Sequence, residues 1–310
     1  MKASGTLQYK VFLSFSFLLS YSQAVSERLA RRTPYYKMEG PKNSKCTPKP
    51  EFKILTQEIS VEIGYYRIRA ENRVHYLSIN CDVYDEGTMS RPYLLIPRLP
   101  EFPDTEWTTM HVSRGLYGSP MSTISYEPLP SIESMWHPEY IDVLSLHQTK
   151  RYTANVHRVL FNGRPAMSKI ACWEWEIPRL ENETYVYKIL NEHKDPNELP
   201  ITPAFFGHLT ENGRVIGMLL EEVDGGSASL NNLAACEEIL RRVHSMGIIH
   251  GDVNRCNFLI HPSGGQVRLI DWEHAEIFDA KRATQEIESL SNELTEETRR
   301  GAPSILEYQF

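Results

Sequence analysis

The chain has few cysteines, no long run of basic residues and no apolar stretch long enough to span a membrane. Its 310 residues include 5 cysteines, an odd number, and none of them forms a C-x-x-C pair. This pattern argues against a disulfide framework and against a zinc site. The formal net charge is −7. Without a basic stretch, non-specific binding to nucleic acid has no electrostatic support, so we expect no nucleic-acid partner.

The amino-terminal residues have the layout of a secretory signal. Lys2 and Lys10 precede a short apolar run, and Ser22-Gln23-Ala24 resembles a cleavage site of small residues. The apolar run is too short to span a bilayer, and its serines weaken the signal. Residues 1–24 are interpreted as a signal peptide or a disordered amino terminus, and residues 25–50 as a disordered basic linker. The rest of the chain favours a cytoplasmic location, with the secretory pathway as the alternative.

The most informative segment lies in the carboxyl-terminal third. It reads His-Gly-Asp-Val-Asn-Arg-Cys-Asn at 250–257 and is followed by Leu-Ile-Asp-Trp-Glu at 269–273. Two short apolar strands around a turn are predicted between the motifs, and this hairpin would carry Asn257 and Asp271 into one cleft. Both offer oxygen ligands of the kind that Mg²⁺ prefers, so they are the candidate metal ligands. Asp252 is the candidate catalytic residue, which would orient a hydroxyl that attacks the γ-phosphate of ATP.

Residues 140–222 are predicted to form a small antiparallel sheet with one helix. Short apolar segments at 141–146, 156–161 and 166–171 are typical of strands that are joined by tight turns. The following segment, 177–191, has the apolar stripe of a helix.

Lys169 lies on the third of these strands. A lysine at this place can reach the α- and β-phosphates of ATP if a helix carboxylate holds it. Glu183 is the predicted partner, and Glu181 is the alternative because the phase of the helix is defined only to within one or two residues. A solvated lysine with two surface glutamates is the competing interpretation.

A hinge is predicted where this sheet ends and a mainly helical segment, residues 223–300, begins. The strand at 215–223 leads into Asp224-Gly225-Gly226-Ser227. The backbone around Glu221 and Val223 is the candidate site for the adenine edge of ATP. An ordinary strand with a flexible turn fits the same sequence.

Residues 52–138 form a separate β-rich module in the sequence. Segments 65–69 and 74–79 predict a hairpin with alternating faces. A proline-rich connector at 92–103 is predicted to be irregular and extended. No motif in this module carries chemistry that the residues reveal.

These motifs resemble those of the protein-kinase-like superfamily. His250-Gly251-Asp252 stands where ordinary eukaryotic kinases have His-Arg-Asp, and Ile270-Asp271-Trp272-Glu273 is closer to the choline-kinase form than to Asp-Phe-Gly. Residues 140–280 are similar to aminoglycoside and choline phosphotransferases, the lipopolysaccharide kinases and the small atypical kinase of the KEOPS complex. Residues 52–280 together resemble a group of uncharacterised fungal proteins, for which no substrate is implied.

The resemblance implies an α+β, two-lobed protein-kinase-like fold. It would have a small antiparallel β lobe, a truncated and mainly helical second lobe, and a β-rich amino-terminal extension. It also implies an ATP- and Mg²⁺-dependent phosphotransferase that acts on a hydroxyl of a small molecule or of a protein Ser/Thr. The resemblance implies that Lys169 and Glu183 bind the phosphates of ATP. It also implies that Asp252 orients the acceptor and that Asn257 and Asp271 hold Mg²⁺.

The loop predicted between the first two strands, 147–155, contains no glycine. Kinases use glycines there so that backbone N–H groups can approach the phosphates. ATP is then held less tightly, or it is covered by side chains such as Lys150 and Arg151.

Two further departures concern the carboxyl-terminal part. Glu273 replaces the glycine after Asp-Phe, so an activation switch built on that glycine is not expected. Only 39 residues follow Asp271, mostly in one predicted charged helix at 281–300, so the acceptor site must come from the amino-terminal module or from a partner protein. These departures motivate the alternative function, a catalytically weak nucleotide-binding pseudokinase that serves as an interaction module.

Overall fold

The computed structural model describes residues 52–264, 266–297 and 300–301. The fold is mixed α+β, and the described residues divide into two compact units, one within residues 52–130 and one within residues 131–301. The predicted signal peptide and basic linker lie outside the described residues. Within the described ranges, no helix combines the length and apolar character that crossing a bilayer requires.

The described part of the smaller unit is built on one five-stranded sheet. Its strands, in spatial and chain order, are β1 (Phe52–Ile59), β2 (Ile63–Ala70), β3 (Arg73–Asn80), β4 (Thr109–Arg114) and β5 (Pro120–Ser125). Neighbouring strands are antiparallel except β3 and β4, which are parallel. The hairpin predicted around residues 65–79 is present as β2 and β3.

The connector between β3 and β4 corrects part of the sequence prediction. Two short helices, α1 (Glu86–Ser90) and α2 (Pro92–Leu95), and a 3₁₀ turn (Ile96–Arg98) lie in it, whereas residues 99–103 have no regular secondary structure, as predicted. Asp85 caps α1 by accepting a hydrogen bond from the Thr88 backbone N–H at 2.9 Å. Pro92 fits the first turn of α2, where a missing N–H breaks no helical bond. Pro92 therefore starts a helix here instead of preventing one.

The larger unit contains a six-stranded sheet. Its strands are β6 (Tyr140–Asp142), β7 (His147–Arg151), β8 (Val156–Phe161), β9 (Arg164–Ile170), β10 (Phe205–Glu211) and β11 (Arg214–Glu221), in the spatial order β6-β10-β11-β9-β8-β7. The antiparallel run β7-β8-β9-β11-β10 forms most of this sheet.

The first strand of this sheet differs from the prediction. The segment predicted at 141–146 is a strand only as far as Asp142, where the Asp142 carboxylate accepts a hydrogen bond from Leu144 N and starts a 3₁₀ turn. The strand that pairs with β8 is β7, which was predicted as loop. All five β7 residues are exposed, so the strand has no alternation of apolar and polar residues by which a sequence could reveal it.

Three helices and two small sheets complete the described larger unit. The helices are α3 (Ile177–Glu192), α4 (Leu233–Ser245) and α5 (Ala280–Thr295). The small sheets consist of β12 (Gly226–Ser227) with β14 (Phe258–Ile260) and β15 (Val267–Leu269), and of β13 (Ile248–Ile249) with β16 (Glu276–Ile277). Helix α5 is shorter than the predicted 281–300. One continuous apolar core joins these elements, with the fully buried side chains of Leu240, Phe258, Trp272 and Leu290 in it.

A buried histidine ties the segment before β6 to the sheet. His208 on β10 is fully buried, and its Nε2 accepts hydrogen bonds from the backbone N–H groups of Trp136 at 3.1 Å and His137 at 3.2 Å. This arrangement requires a neutral ring with its proton on Nδ1. Burial, with a smaller contribution from His137, lowers the pKa of His208 to about 4.

Stability should therefore fall in mildly acidic solution through His208. Its folded pKa of about 4 lies below the ordinary 6.5, so the unfolded chain takes up the proton first. The stabilisation is complete above pH 6.5 and is lost as pH falls towards 4, by roughly 3 kcal/mol at most. The slope of unfolding free energy against pH should be shallower in His208→Gln than in wild type across this window. The variant His147→Gln, at an exposed site, should have the slope of wild type. Equal slopes for wild type and His208→Gln would contradict the assignment.

Candidate active site

Lys169 on β9 lies among three carboxylates. Its Nζ is 2.5 Å from Glu183 Oε2, 2.7 Å from Asp271 Oδ1 and 2.9 Å from Glu273 Oε1. The Lys169 side chain is 15% exposed and that of Glu183 only 2%, so this pair is largely withdrawn from water, whereas Asp271 and Glu273 are partly exposed. One oxygen from each carboxylate lies within 4.8 Å of the others. The structure thus brings three predicted site residues together and adds Glu273, which the sequence marked only as a departure from the kinase pattern.

The electrostatics of the cluster follow from burial and from an excess of negative charge. Burial opposes the charged form of Lys169, but Glu183, Asp271 and Glu273 together outweigh it and raise the pKa of Lys169 well above its ordinary value. Burial raises the pKa of Glu183 to about 7, although Lys169 pulls it down. Burial also opposes the charge of Asp271, but Lys169 prevails and lowers the Asp271 pKa. The lysine is therefore charged, and the deepest carboxylate is the one that holds a proton most easily.

Helix α3 selects Glu183 over the alternative Glu181. Two residues along a helix turn by about 200°, so these side chains leave the helix on opposite faces. Glu181 accepts hydrogen bonds from the backbone N–H groups of Glu133 at 2.6 Å and Ser134 at 3.1 Å, which anchors the segment before β6. Glu183 contacts Lys169.

Asp252 lies in a loop that is shaped by two asparagines. Asn257 is 2% exposed, and its Nδ2 donates to the backbone oxygen of Asp252 at 2.9 Å. Asn254 Nδ2 donates to Asp252 Oδ2 at 3.2 Å, and Asn254 Oδ1 accepts from the N–H of Cys256 at 2.9 Å. Among the described residues, no hydrogen bond engages Asn257 Oδ1, which remains available to a ligand. The Asp252 side chain is 29% exposed, so it is accessible from solvent.

His250 connects this loop to the strand before Asp271. Its Nε2 lies 2.9 Å from Ile270 O, and its Nδ1 accepts from the N–H of Asp252 at 3.3 Å. Burial lowers the pKa of His250 and keeps the ring neutral. The ring is therefore a brace and not a proton carrier. Asp271 follows with φ +68°, a left-handed conformation that is uncommon for a residue with a side chain.

Gly251 and Glu286 fix the other side of the loop. Glu286 on α5 accepts hydrogen bonds from Gly251 N at 2.6 Å, from His250 N at 3.3 Å and from the His244 ring at 2.8 Å. Burial opposes the charge of Glu286, but these donors lower its pKa. Gly251 has φ +82°, and a Cβ there would lie 1.9 Å from the backbone oxygen of His274. The glycine of His-Gly-Asp is therefore required by the close approach of the two loops.

The predicted adenine-edge residues occupy the end of β11. The backbone N–H of Glu221 donates to Ala204 O at 2.8 Å, and Glu221 Oε2 accepts from Ala204 N at 3.0 Å. The N–H of Glu221 is therefore engaged with Ala204, and the adenine contact at Glu221 stays a prediction. Glu222 pairs with Arg158 at 2.7 Å. Val223 remains a predicted nucleotide contact.

Three backbone N–H groups of the turn between β7 and β8 are bonded within the turn and are not free for a phosphate. The N–H groups of Tyr152 and Thr153 donate to Val156 O at 3.0 and 3.2 Å. The N–H of Asn155 donates to Thr153 Oγ1 at 3.2 Å. The side chain of Arg151 is also used locally, since its Nε donates to Thr153 O at 3.0 Å. This turn does not form the cradle that a glycine-rich loop makes.

The contact of Gly251 with His274 can be isolated by a matched pair of substitutions. Gly213 also has a positive φ, +78°, but nothing lies within 4 Å of a Cβ placed there. Gly213→Ala should cost about 1–2 kcal/mol of unfolding free energy, because of the backbone conformation alone. Gly251→Ala should cost at least about 3 kcal/mol, because the loops must separate as well. Similar losses for both variants in urea unfolding would show that the loops do not approach as described.

Two comparisons with known proteins bear on this geometry. No curated protein matches the chain. Residues 225–301 match the model of the lipopolysaccharide kinase (Kdo/WaaP) family, and the matched segment contains Asp252, Asn257 and Asp271. The segment is about a quarter of the chain, and the similarity of this segment is to a kinase family.

Proposed function

We propose that the protein is an ATP- and Mg²⁺-dependent phosphotransferase that moves the γ-phosphate of ATP to a hydroxyl group. The observation that carries the proposal is the assembly of Lys169 with Glu183 and Asp271. These residues come from a strand, a helix and a loop that are distant in sequence. The match to a kinase family supports a kinase-type phosphotransferase and covers the segment that contributes Asp271.

The residues of the site fit a divalent cation with a nucleotide. Three carboxylates and one ammonium group leave a formal charge of −2 on the cluster, which a divalent cation would offset. The donors are hard oxygens, which suit Mg²⁺. Asp271 and the free Oδ1 of Asn257 are the residues that would hold it. When bound, Mg²⁺ supplies positive charge to the phosphate oxygens during transfer.

Lys169 has three N–H donors, and each of its three carboxylate partners lies within hydrogen-bond distance. Contact with the phosphates of ATP requires Lys169 to release at least one of these partners. Glu183 is the partner it keeps, because Glu183 is the most buried of the three and has no access to water as an alternative. Glu183 thereby orients the lysine while Asp271 becomes free to bind metal.

Asp252 would orient the acceptor. Its carboxylate accepts a hydrogen bond from Asn254 Nδ2 and its backbone oxygen accepts one from Asn257 Nδ2, yet the side chain remains partly exposed. It can therefore accept a hydrogen bond from an incoming hydroxyl. The hydroxyl belongs to a small molecule or to a protein Ser/Thr, and the site residues do not distinguish between them.

The second candidate function is a nucleotide-binding pseudokinase that serves as an interaction module. It is favoured by one observation, the β7–β8 turn, in which the N–H groups of Tyr152, Thr153 and Asn155 are bonded within the turn. Such a turn would hold the phosphates loosely and leave the γ-phosphate poorly positioned. The pseudokinase predicts stabilisation by Mg²⁺ and ATP without transfer of phosphate.

Asp252→Asn should separate transfer from binding. We expect acceptor-dependent transfer of labelled γ-phosphate to fall about 10²–10⁴-fold, because an amide cannot take the hydroxyl proton. The rise in melting temperature with Mg²⁺ and ATP should be kept. The control is Asp195→Asn, which alters an exposed carboxylate in the same unit. Wild-type protein that is stabilised by Mg²⁺ and ATP but transfers no phosphate to any of a broad acceptor set would favour the pseudokinase.

Asp271→Asn should remove the metal-dependent part of nucleotide binding. At a ligand concentration about 100-fold above Kd, Mg²⁺ with ATP should raise the melting temperature of wild type by roughly 5–10 °C. In Asp271→Asn, the shift with Mg²⁺ should be no larger than the shift in EDTA, because the metal has lost its carboxylate. An unchanged Mg²⁺-dependent shift would refute the role of Asp271.

A further inference from the structure

Asn182 precedes Glu183 on helix α3 and contacts the segment after Asp271. The Nδ2 of Asn182 lies 2.9 Å from the backbone oxygen of Ala275, 3.1 Å from that of Glu273 and 3.4 Å from that of Trp272. An amide NH₂ group has two donors, so three converging carbonyls use its full capacity. This contact plays no part in binding or transfer as described above.

The segment gripped by Asn182 is also held from the opposite side. Trp272 is fully buried, and its ring lies 4.7 Å from the ring of His250. The backbone of His274 touches Gly251, whose N–H is bound by Glu286. Asp271 is thus followed by a stretch that is fixed to α3 on one side and to the catalytic loop on the other.

We propose that Asn182 is a positioning residue that locks the segment 272–275 to α3, so that Asp271 and the Lys169–Glu183 pair move as one body. Asn182 and Glu183 are adjacent on the helix, so a shift of α3 away from the sheet would break both contacts at once. The left-handed backbone of Asp271 is held in place by the same grip. Glu273 occupies the position at which a kinase activation switch uses the conformational freedom of a glycine, and Asn182 holds its backbone oxygen. The active arrangement is therefore assembled without a separate activation step.

The inference rests on the proposed function in one respect, the use of Asp271 as a metal ligand. The lock itself is a property of the unliganded protein. Two measurements therefore separate the failure of the lock from the failure of the function.

The first measurement is hydrogen exchange without ligand in wild type, Asn182→Asp and the control Asn191→Asp. Asn182→Asp keeps the shape but turns two donors into acceptors that face carbonyl oxygens. Asn191 lies on the same helix and is exposed. The backbone N–H of Ala275 donates to Trp272 O at 3.0 Å, and that of Phe278 to Gly247 O at 2.9 Å, so both amides report on the segment. Exchange across 272–278 should rise about tenfold in Asn182→Asp only. Exchange equal to wild type would overturn the lock.

The second measurement is the Mg²⁺ concentration at which ATP reaches half of its full effect on the melting temperature. Groups that orient a metal ligand typically change metal affinity by 10–100-fold when they are lost. We expect a rise of about tenfold or more in Asn182→Asp, a smaller rise in Asn182→Ala, and no rise in Asn191→Asp. ATP binding in EDTA should stay within about twofold of wild type. A purely structural defect would lower all melting temperatures and leave the Mg²⁺ midpoint unchanged, which would also overturn the proposal.

The results that would refute the lock differ from the results that would refute the proposed function. If wild type shows no stabilisation by Mg²⁺ with ATP, the proposed function fails, while hydrogen exchange still decides the lock. If wild type is stabilised and Asn182→Asp has the wild-type Mg²⁺ midpoint and exchange pattern, the lock fails and the function stands. Should Asn182→Asp not fold, Asn182→Ala carries both measurements.

Discussion

The charge of Lys169 constrains the arrangement of the whole larger unit. An ammonium group withdrawn from water is strongly unfavourable unless opposite charges surround it. Here a strand supplies the lysine, helix α3 supplies Glu183, and the segment after β15 supplies Asp271 and Glu273. Loss of the strand would leave the buried carboxylate of Glu183 without its cation, and loss of α3 would remove the most buried partner of Lys169. The sheet, the helix and the loop are therefore held in a fixed relation by electrostatics, while the apolar core beneath them supplies most of the free energy of folding.

A second constraint comes from the loop that carries Asp252, whose backbone N–H groups need partners. Helix α5 meets this need with one side chain, because Glu286 accepts from both His250 and Gly251 and is itself held by His244. One helix thus braces the loop. Because Gly251 lies against the backbone of His274, the loop that Glu286 holds also restrains the segment that bears Asp271.

The sequence predicts the parts of this site that rest on strong local signals. The hairpin of β14 and β15 follows from two apolar runs around a turn, and its pairing brings Ile270 N within 3.0 Å of Asn257 O. Strand β7 could not be predicted, since every residue in it is exposed and its pairing partner is set by the sheet. Glu286 and Asn182 were also missed. A glutamate on a charged helix and an asparagine beside Glu183 have no local signature, and their roles depend on backbone groups far away in the chain.

The excess negative charge of the cluster bears on the choice between enzyme and pseudokinase. The pKa of Glu183 is raised to about 7, above its ordinary 4.5, so its deprotonation weakens the fold as pH rises through this window. The three carboxylates exceed the one ammonium group in formal charge, an excess that a bound divalent cation would offset. An interaction module has no need of such an excess, because a neutral or apolar cluster would hold the same elements together at lower cost. The charge distribution therefore favours a site that works with a metal and a phosphate over one that only supports the fold.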